Sequence, residues 1–257
     1  MEFQVDLLSV ARHANRQLMG AYSADLAARW MKELIDRNAE VSVIFACAPS
    51  QDEFFDALVT DASKDHGVDW SCVHVFHMDE YIGLTADHPQ SFRSYLLQHL
   101  LSRVEDVSFF AIEGERSAQE VISDYSRLLR EHPVDITCMG IGENGHIAFN
   151  DPPVADFFDV ESIKVVELDA ACRQQQVNDG CFATIEDVPT HALTLTIPEL
   201  LRSKRIVCTV PGRRKAGAVK AALEEPISTE TPASILRVHP HAFLSLDAEA
   251  GGDLTAV

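Results

Sequence analysis

The stretch VSVIFACAPSQDEF, residues 41–54, decides the fold class of this chain. Residues 41–48 are almost continuously apolar, which is typical of a strand that is covered on both faces. The letters SQDE at residues 50–53 follow at once and have the pattern of a capping box at the start of a helix. The stretch therefore predicts a buried strand that leads directly into a helix.

The same alternation of apolar runs and amphipathic segments continues along the chain. Strands are predicted at residues 41–48, 73–77, 107–112, 136–141, 163–168, 192–197, 205–210 and 235–238. Helices are predicted at residues 24–37, 50–60, 90–101, 118–132, 169–178 and 213–224. Helices that follow strands in this order indicate a doubly wound, mostly parallel α/β sheet.

A single domain is the simplest organisation for a chain of 257 residues. The sequence shows no internal repeat, no low-complexity tract and no linker rich in proline, glycine or serine. We therefore predict one domain over residues 1–248. Residues 249–257 carry two glycines and little apolar content, so we predict a disordered tail there.

The charge of the chain restricts its partners. Lys and Arg total 21 against 40 Asp and Glu, a net charge of −19 that would repel nucleic acid and anionic membranes. The N-terminal stretch has no apolar segment of signal-peptide length, and no segment approaches the apolar length that spans a bilayer. We expect a cytoplasmic protein without a nucleic-acid or membrane partner.

The cysteines and histidines predict no metal centre. None of the six cysteines forms a C-x-x-C pair, and most lie in apolar runs typical of small buried side chains. The histidines at 74 and 77, and those at 239 and 241, have no carboxylate or cysteine at a convincing metal-ligand spacing. We therefore expect neither a metal nor another cofactor.

Functional groups of such sheets gather at the carboxyl ends of the strands, so the residues that follow each predicted strand are the candidates. The segment VFHMDEY, residues 75–81, places Asp79 and Glu80 at one of these ends. Adjacent carboxylates there are costly unless they are solvated, paired or catalytic. Tyr81 indicates a partly apolar surround, which raises a carboxylate pKa and suits a general base. Solvated loop acids are the alternative.

The segment MGIGENGHIAFND, residues 139–151, contains a literal G-x-G-x-x-G after a strand. A dinucleotide site is disfavoured, because that fingerprint needs its third glycine inside an opening helix and prolines soon end this segment. We interpret it as a turn that lets the backbone approach a ligand and that presents His146 beside Asn144, with Asp151 further on. A histidine held by such groups can transfer protons, and a structural histidine is the alternative.

Two further segments carry candidate anion ligands. In VPGRRKA, residues 210–216, three cations including Lys215 stand in the predicted first turn of a helix, where they oppose the helix dipole. A phosphate held at that helix terminus would explain the placement, and solvated basic residues are the alternative. Arg173 is a second candidate, although a lone helical arginine is usually a surface ion-pair partner.

Taken together these segments resemble the glucosamine-6-phosphate deaminase/isomerase family, whose relatives include the 6-phosphogluconolactonases. The resemblance runs in family order over most of the chain and is specific in its combination of MDEY with GIGxxGHIAFN. The matching strings are FHMDEYIGL (76–84), HPQSF (88–92), MGIGENGHIAFNDP (139–152), VPTHALTLTIPELL (188–201), VPGRRKA (210–216) and PASILRVHPHA (232–242).

The resemblance implies a three-layer α/β/α sandwich and a hydrolase that couples aldose–ketose isomerisation to loss of ammonia from an amino-sugar 6-phosphate. It places the base that moves a proton between C1 and C2 at Asp79, and ring opening at His146. Asn144 and Asp151 would orient His146. The expected substrate-binding residues are Ser50, Gln51, Glu80, Arg173 and Lys215.

Three departures from the family pattern bear on this expectation. The loop ACAPSQ, residues 46–51, has no glycine where the familiar enzymes carry a glycine-containing phosphate loop. Asn144 stands where the best-known enzymes have aspartate, which we expect to tune the histidine. Asp151 replaces the usual glutamate and is one methylene shorter, which loosens its hold on His146.

Two other functions fit the same resemblance. A sugar-phosphate lactonase would use His146 to help water attack an ester and would not need Asp79 as the base of a carbon acid, so the MDEY string argues against it. A non-catalytic sugar-phosphate sensor would bind without turnover and, lacking a helix-turn-helix extension, would act through a partner protein. Homo-oligomers are common in the family, so a homo-oligomer is also open.

Overall fold

Parallel strands form the centre of the molecule in the computed structural model, which describes residues 1–255. The strands are β1 (Glu2–Val5), β2 (Leu8–Arg12), β3 (Val41–Phe45), β4 (Val73–His77), β5 (Asp79–Tyr81), β6 (Ser108–Phe110), β7 (Ile136–Met139), β8 (Ile163–Glu167), β9 (His191–Leu195), β10 (Arg205–Val210) and β11 (Ala242–Leu246). The α-helices are α1 (Arg16–Asn38), α2 (Asp52–Ala57), α3 (Ser63–His66), α4 (Phe92–His99), α5 (Ala118–Glu131), α6 (Ala170–Asn178), α7 (Ile197–Leu201) and α8 (Ala216–Glu224). Short 3₁₀ turns occupy Pro49–Gln51, Trp70–Cys72, Leu101–Arg103, Ile185–Asp187, Arg213–Lys215 and Pro232–Val238, and a π turn spans Leu58–Ala62.

The main sheet has the strand order β1-β2-β11-β10-β7-β3-β4-β6. All neighbouring pairs from β2 to β6 are parallel, and only the edge strand β1 is antiparallel to its neighbour. From β3 the chain moves outward to β4 and β6, then returns to the other side of β3 at β7 and moves outward to β10 and β11. The predicted doubly wound sheet is confirmed, and its switch point lies between β3 and β7.

Helices cover both faces of this sheet, because successive side chains of a strand point to opposite faces. Val43 and Phe45 belong to the apolar cluster beneath α1 and α2, whereas Ile44 belongs to the cluster beneath α5 and α8. All three side chains are fully buried. The chain therefore has the three-layer α/β/α architecture, with a continuously apolar β3 at its centre.

A second, three-stranded sheet stands beside the main one. It has the order β5-β9-β8 with antiparallel pairing, and Asp79 lies opposite Thr194. The two carboxylates after β4 lie in β5 itself, where Asp79 is 7% exposed and Glu80 is fully buried. Solvated loop acids are thereby excluded.

The structure corrects two local predictions. Residues 235–238 were expected to form a strand, yet they end the 3₁₀ segment Pro232–Val238. Pro232 opens that turn, and buried Leu236 packs it against the core. The final strand is β11. The expected capping box at residues 50–53 does not form. Its serine lies inside a 3₁₀ turn, and the carboxylate of Glu53 instead accepts two hydrogen bonds from Arg16, at 2.7 and 2.9 Å.

Disorder was predicted for residues 249–257, but the chain makes defined contacts as far as Thr255. Ala250 is fully buried and its N–H donates to Asp247 at 2.7 Å, while the N–H of Thr255 donates to Glu224 at 2.7 Å. Residues 256 and 257 of the predicted tail lie outside the described residues. A single domain over residues 1–248 stays a prediction. Within residues 1–255 no helix combines the length and apolar character needed to cross a membrane.

Candidate active site

A pocket opens at the carboxyl ends of β3, β4, β7 and β10, next to the switch point of the sheet. It contains about 530 Å³ of empty space, part of it continuous with solvent. We call it the switch-point pocket. Its lining residues are Ala46, Cys47, Ala48, Ser50, Met78, Asp79, Phe92, Gly140, Ile141, Gly142, His146, Ala148, Phe149, Gln175, Gln176 and Lys215. The structure thus brings Asp79, His146 and Lys215 together although they are far apart in sequence.

Asp79 reaches the pocket because only one residue, Met78, separates the end of β4 from the start of β5. Among the described residues, no side chain or backbone N–H donates a hydrogen bond to its carboxylate. Burial, and secondarily the charge of Glu80, raises the pKa of Asp79 well above the usual aspartate range. The group is therefore a much stronger base than a solvated aspartate whenever it is ionised.

His146 is held against a carboxylate at the back of the pocket. Its Nδ1 lies 2.8 Å from Oδ1 of Asp151, at contact distance but without the alignment of a hydrogen bond. Asn144 joins the two residues, because its Nδ2 donates to Asp151 at 2.9 Å and its Oδ1 accepts from the backbone N–H of His146 at 3.1 Å. The burial of Asp151 opposes its ionisation, but the close contact with His146 and the charge of that ring lower the pKa of this carboxyl below its usual value.

Two glycines give the imidazole its place. A Cβ at Gly142 would lie 2.2–2.4 Å from three atoms of the His146 ring, so the ring packs directly on the bare backbone of that residue. Gly145 has φ +85°, in the left-handed region that favours glycine, and its N–H closes the turn onto the carbonyl of Gly142 at 3.1 Å. The glycine-rich segment is therefore a histidine-positioning turn, as its interpretation from sequence predicts, and not the opening of a helix.

Lys215 enters the pocket from the opposite side. It ends the 3₁₀ turn Arg213–Lys215, directly before α8, and is only 6% exposed. Within residues 1–255 its ammonium has no hydrogen-bond or ion-pair partner, and burial lowers its pKa below the usual lysine value. A buried cation without a partner is costly, so this position favours an anionic ligand.

Ser50 and Gln51 follow β3 on the glycine-free loop. Ser50 lines the switch-point pocket. Gln51 is 1% exposed, and its Nε2 donates to the carbonyl of Thr209 at 3.1 Å and to Oγ of Ser50 at 3.2 Å. The side chain of Gln51 therefore fastens the loop to β10, and the structure does not bring its amide to the pocket surface.

Glu80 also points away from the pocket. Its carboxylate accepts from the hydroxyl of Ser91 at 2.8 Å and from backbone N–H groups of Phe92 and Arg93 at 3.2 Å, at the first turn of α4. The guanidinium of Arg93 adds an ion pair at 3.3 Å. Glu80 thus caps a helix that places Phe92 in the pocket wall. Its pKa is raised by burial even though these donors oppose the shift.

Arg173 is the remaining candidate, and the structure does not place it in the pocket. Its guanidinium donates to the backbone carbonyls of Ile185 and Val188, at 2.5 and 3.1 Å. These contacts tie the segment after α6 to the helix. The same helix supplies two pocket residues that the sequence analysis missed, Gln175 and Gln176. In the sequence they stand beside Arg173 in a polar run, and such a run is equally typical of an exposed helix surface.

A wider depression continues from Ser50 and Lys215 toward solvent, and we call it the outer pocket. It contains about 970 Å³ of empty space. Its three arginines are paired: Arg16 with Glu53, Arg213 with Asp253, and Arg214 with both Glu143 and Asp179. The rim of the site is therefore largely neutralised, in contrast to the unpaired ammonium of Lys215 inside it.

Comparison with known proteins agrees with the geometry. The family model for glucosamine-6-phosphate isomerases/6-phosphogluconolactonase matches residues 14–244. A glucosamine-6-phosphate deaminase of Listeria innocua is 38% identical over 184 residues, 71% of this chain and 76% of the relative. The structure of a monomeric glucosamine-6-phosphate deaminase superposes with a TM-score of 0.85 at 28% identity, covering 95% of this chain and 98% of that one. The 6-phosphogluconolactonase of Trypanosoma brucei shares the fold, with a TM-score of 0.76 at 14% identity over 99% of this chain and 100% of its own. This chain therefore belongs to the glucosamine-6-phosphate isomerase/6-phosphogluconolactonase family.

Proposed function

We propose that this protein isomerises and deaminates an amino-sugar 6-phosphate, converting glucosamine 6-phosphate to fructose 6-phosphate and ammonia. One observation carries the proposal: a buried carboxylate, a histidine–aspartate pair and a buried unpaired lysine surround a single pocket. A base, a ring-opening group and an anion anchor are the three functions that this reaction needs. The similarity to a relative named glucosamine-6-phosphate deaminase supports the same reaction.

Ring opening is the first step, and we assign it to His146. With the carboxylate of Asp151 beside Nδ1, the neutral ring carries its proton there and keeps a lone pair on Nε2. Nε2 can accept the proton of the anomeric hydroxyl and return it to the ring oxygen, which opens the pyranose. Asp151 and Asn144 act through the histidine and are positioning residues.

Proton transfer between carbons is the second step, and we assign it to Asp79. Its carboxylate takes the proton from C2 of the open-chain sugar and delivers it to C1, while the amine at C2 gives up one proton and the oxygen at C1 takes one up. A carbon acid is weak, so the transfer needs a base stronger than a solvated aspartate, and burial supplies that strength by raising the pKa of Asp79. The resulting imine at C2 adds one water and releases ammonia, which makes the overall reaction a hydrolysis.

The substrate phosphate is the third element, and we assign its anchor to Lys215 with the hydroxyl of Ser50. Both residues lie where the switch-point pocket meets the outer pocket. A phosphate there gains a charge-assisted contact with an ammonium that has lost most of its hydration. The glycine-free loop offers little exposed backbone, so side chains are expected to supply most of this grip.

The proposal is tested by coupled detection of ammonia and fructose 6-phosphate after glucosamine 6-phosphate is added to the purified protein. Asp79→Asn should abolish turnover, and Lys215→Ala should raise KM. Asp61→Asn and Lys64→Ala are matched controls, since both residues are exposed and neither lines the pocket. Turnover that persists in folded Asp79→Asn would refute the assignment of the base.

The same preparation separates the two alternatives. Hydrolysis of a sugar-phosphate lactone, with no release of ammonia from the amino sugar, would identify a lactonase. Substrate binding in calorimetry without any turnover would identify a sensor. The carboxylate of Asp79, which lines the pocket and accepts no hydrogen bond among the described residues, supports the deaminase over both.

Two properties of the cellular protein complete the proposal. A cytoplasmic location suits free cysteines, which persist in a reducing compartment, and fractionation of the source cells would test it. A homo-oligomer, as is common in the family, is tested by light scattering of the purified chain. The solved relative described as monomeric makes a single copy the competing outcome.

A further inference from the structure

Three potential metal ligands meet behind the switch-point pocket. A ring nitrogen of His146, a carboxylate oxygen of Asp151 and Sγ of Cys172 all lie within 4.8 Å of one another, and Nδ1 is the ring atom that contacts Asp151. The three residues are 8%, 1% and 1% exposed. They come from two segments, the glycine-rich turn and its continuation after β7, and the first turn of α6.

The polar atoms of this cluster are incompletely satisfied. Nδ1 of His146 and Oδ2 of Asp151 are both buried without a hydrogen-bond partner among the described residues. Nδ1 nevertheless lies 2.8 Å from Oδ1 of Asp151, so the ligand atoms of the cluster already face one another. The thiol of Cys172 contacts the Asp151 carboxylate and packs in the apolar cluster with Tyr81 and Phe149, and the proposed isomerisation assigns it no proton transfer.

We propose that His146, Asp151 and Cys172 form a zinc-binding site, and that zinc bound there inhibits the enzyme. A thiolate, an imidazole and a carboxylate are the ligand types that Zn²⁺ uses in proteins, whereas Mg²⁺ and Ca²⁺ prefer oxygen ligands alone. Three protein ligands leave a fourth tetrahedral position for water from the pocket. The zinc binding is independent of the proposed function, and only the inhibition rests on it.

The ligand atoms must move by up to about 1 Å to accept the ion. Zn–N and Zn–O bonds of about 2.0–2.2 Å and a Zn–S bond of about 2.3 Å hold tetrahedral ligand atoms roughly 3.3–3.6 Å apart. Nδ1 of His146 and Oδ1 of Asp151 are 2.8 Å apart, so they must separate by about half an ångström. The ion can enter past His146, which lines the pocket.

The inhibition follows from the tautomer of His146. Cys172 gives up its thiol proton when the ion binds, and the imidazole coordinates through Nδ1. The neutral ring then carries its remaining proton on Nε2, the atom that must accept a proton in ring opening. A metal on Nδ1 therefore removes the lone pair on which catalysis depends, while the fold and the phosphate anchor stay unchanged.

The test has one arm that does not depend on turnover. Co²⁺ is added to the protein as a spectroscopic substitute for Zn²⁺, and the thiolate-to-cobalt charge-transfer absorption is recorded. We expect this absorption in the natural protein and in Cys72→Ala, a control that removes a thiol outside the cluster. We expect none in Cys172→Ala or Cys172→Ser, whose folding is checked by thermal unfolding.

The second arm measures inhibition of ammonia release by Zn²⁺. Cys172 lies outside the proposed catalytic machinery, so its variants should keep basal activity while the inhibitory zinc concentration rises at least about tenfold. Equal absorption and equal inhibition in Cys172→Ala would overturn the proposal. Inhibition that is lost instead in Cys47→Ala would also overturn it, because Cys47 is a pocket-lining thiol. Cobalt absorption without any ammonia release would uphold the metal site and refute the proposed function.

Discussion

Replacing Gly142 with alanine should disable His146 without replacing any ionisable residue. The new Cβ would lie 2.2 Å from Cε1, 2.3 Å from Nε2 and 2.4 Å from Nδ1 of the imidazole. Carbon atoms in van der Waals contact are about 3.5–4.0 Å apart, so the ring must move by more than about 1 Å. The present 2.8 Å approach of Nδ1 to Asp151 is then lost or redirected.

A displacement of about 1 Å at a reacting group costs on the order of 100-fold in rate, or about 2.7 kcal/mol of transition-state stabilisation. We therefore expect kcat of Gly142→Ala to fall about 100-fold while KM changes little, since Lys215 is untouched. Coupled detection of ammonia and fructose 6-phosphate measures both constants. Gly217→Ala is the matched control, because a Cβ at this α8 position meets no atom within 4 Å.

Thermal unfolding separates loss of catalysis from loss of fold. Gly217→Ala should be as stable as the natural protein or slightly more so, since alanine favours a helix by about 0.5–1 kcal/mol over glycine. A folded Gly142→Ala protein with the natural kcat would refute the reasoning. It would mean that the imidazole either sits elsewhere or takes no part in the slow step.

Three further predictions concern charge and structure around the pocket. In the pH profile, activity should fall on the acid side at a pH above the usual aspartate range, because Asp79 is protonated as pH falls through its raised pKa. On the alkaline side KM should rise, because Lys215 loses its charge at a pH below the usual lysine pKa. An acid limb near pH 4 would contradict the assignment of Asp79. Glu80→Ala should lower the free energy of unfolding in urea by about 1–3 kcal/mol, because it leaves the Ser91 hydroxyl and the first N–H groups of α4 without their acceptor while Arg93 keeps its ion pair with Glu115. An unchanged stability would show that Glu80 is no structural cap. Arg173→Ala should speed hydrogen exchange in the segment after α6 with less than about a threefold change in KM, whereas a large rise in KM would place Arg173 on the phosphate after all.

The sequence predicts the central features of this molecule because they depend on local patterns. An apolar run such as β10 followed by basic helix residues specifies both a buried parallel strand and the position of Lys215 at its carboxyl end. Parallel packing then brings these ends to one edge of the sheet. For this reason the sequence alone suffices to group Asp79, His146 and Lys215 in one site.

Other features depend on contacts that no local pattern contains. The amide of Gln51 is bonded to Thr209, 158 residues away, so its orientation toward β10 has no local signal. Glu80 caps the next helix through its contacts with Ser91 and Arg93. A pair of adjacent acids in the sequence does not predict this capping role. The same holds for the 3₁₀ segment Pro232–Val238, whose apolar residues suit a strand but face the core from a turn.

The absence of glycine from the loop after β3 is compatible with phosphate binding when the loop is viewed beside β7 and β10. Gln51 occupies the space over Gly140, where an added Cβ would lie 3.0 Å from its Nε2. The loop is thus braced by a side chain at the point where a glycine loop would offer backbone N–H groups. Under the proposed function, recognition of the anion falls to Ser50 and Lys215, which are the two residues shared by both pockets.

Burial gives Asp79 and Lys215 their chemical character in a chain of net charge −19. Arg213 and Arg214 of the outer pocket are exposed and paired, so each ion pair contributes little and neither arginine is free to attract substrate. Inside, burial raises the pKa of Asp79 and lowers that of Lys215, so each group loses stability in its ionised form. A substrate with a phosphate at one end and a weakly acidic carbon at the other relieves both, because the phosphate stabilises the ammonium and the carbon supplies the proton that the carboxylate favours.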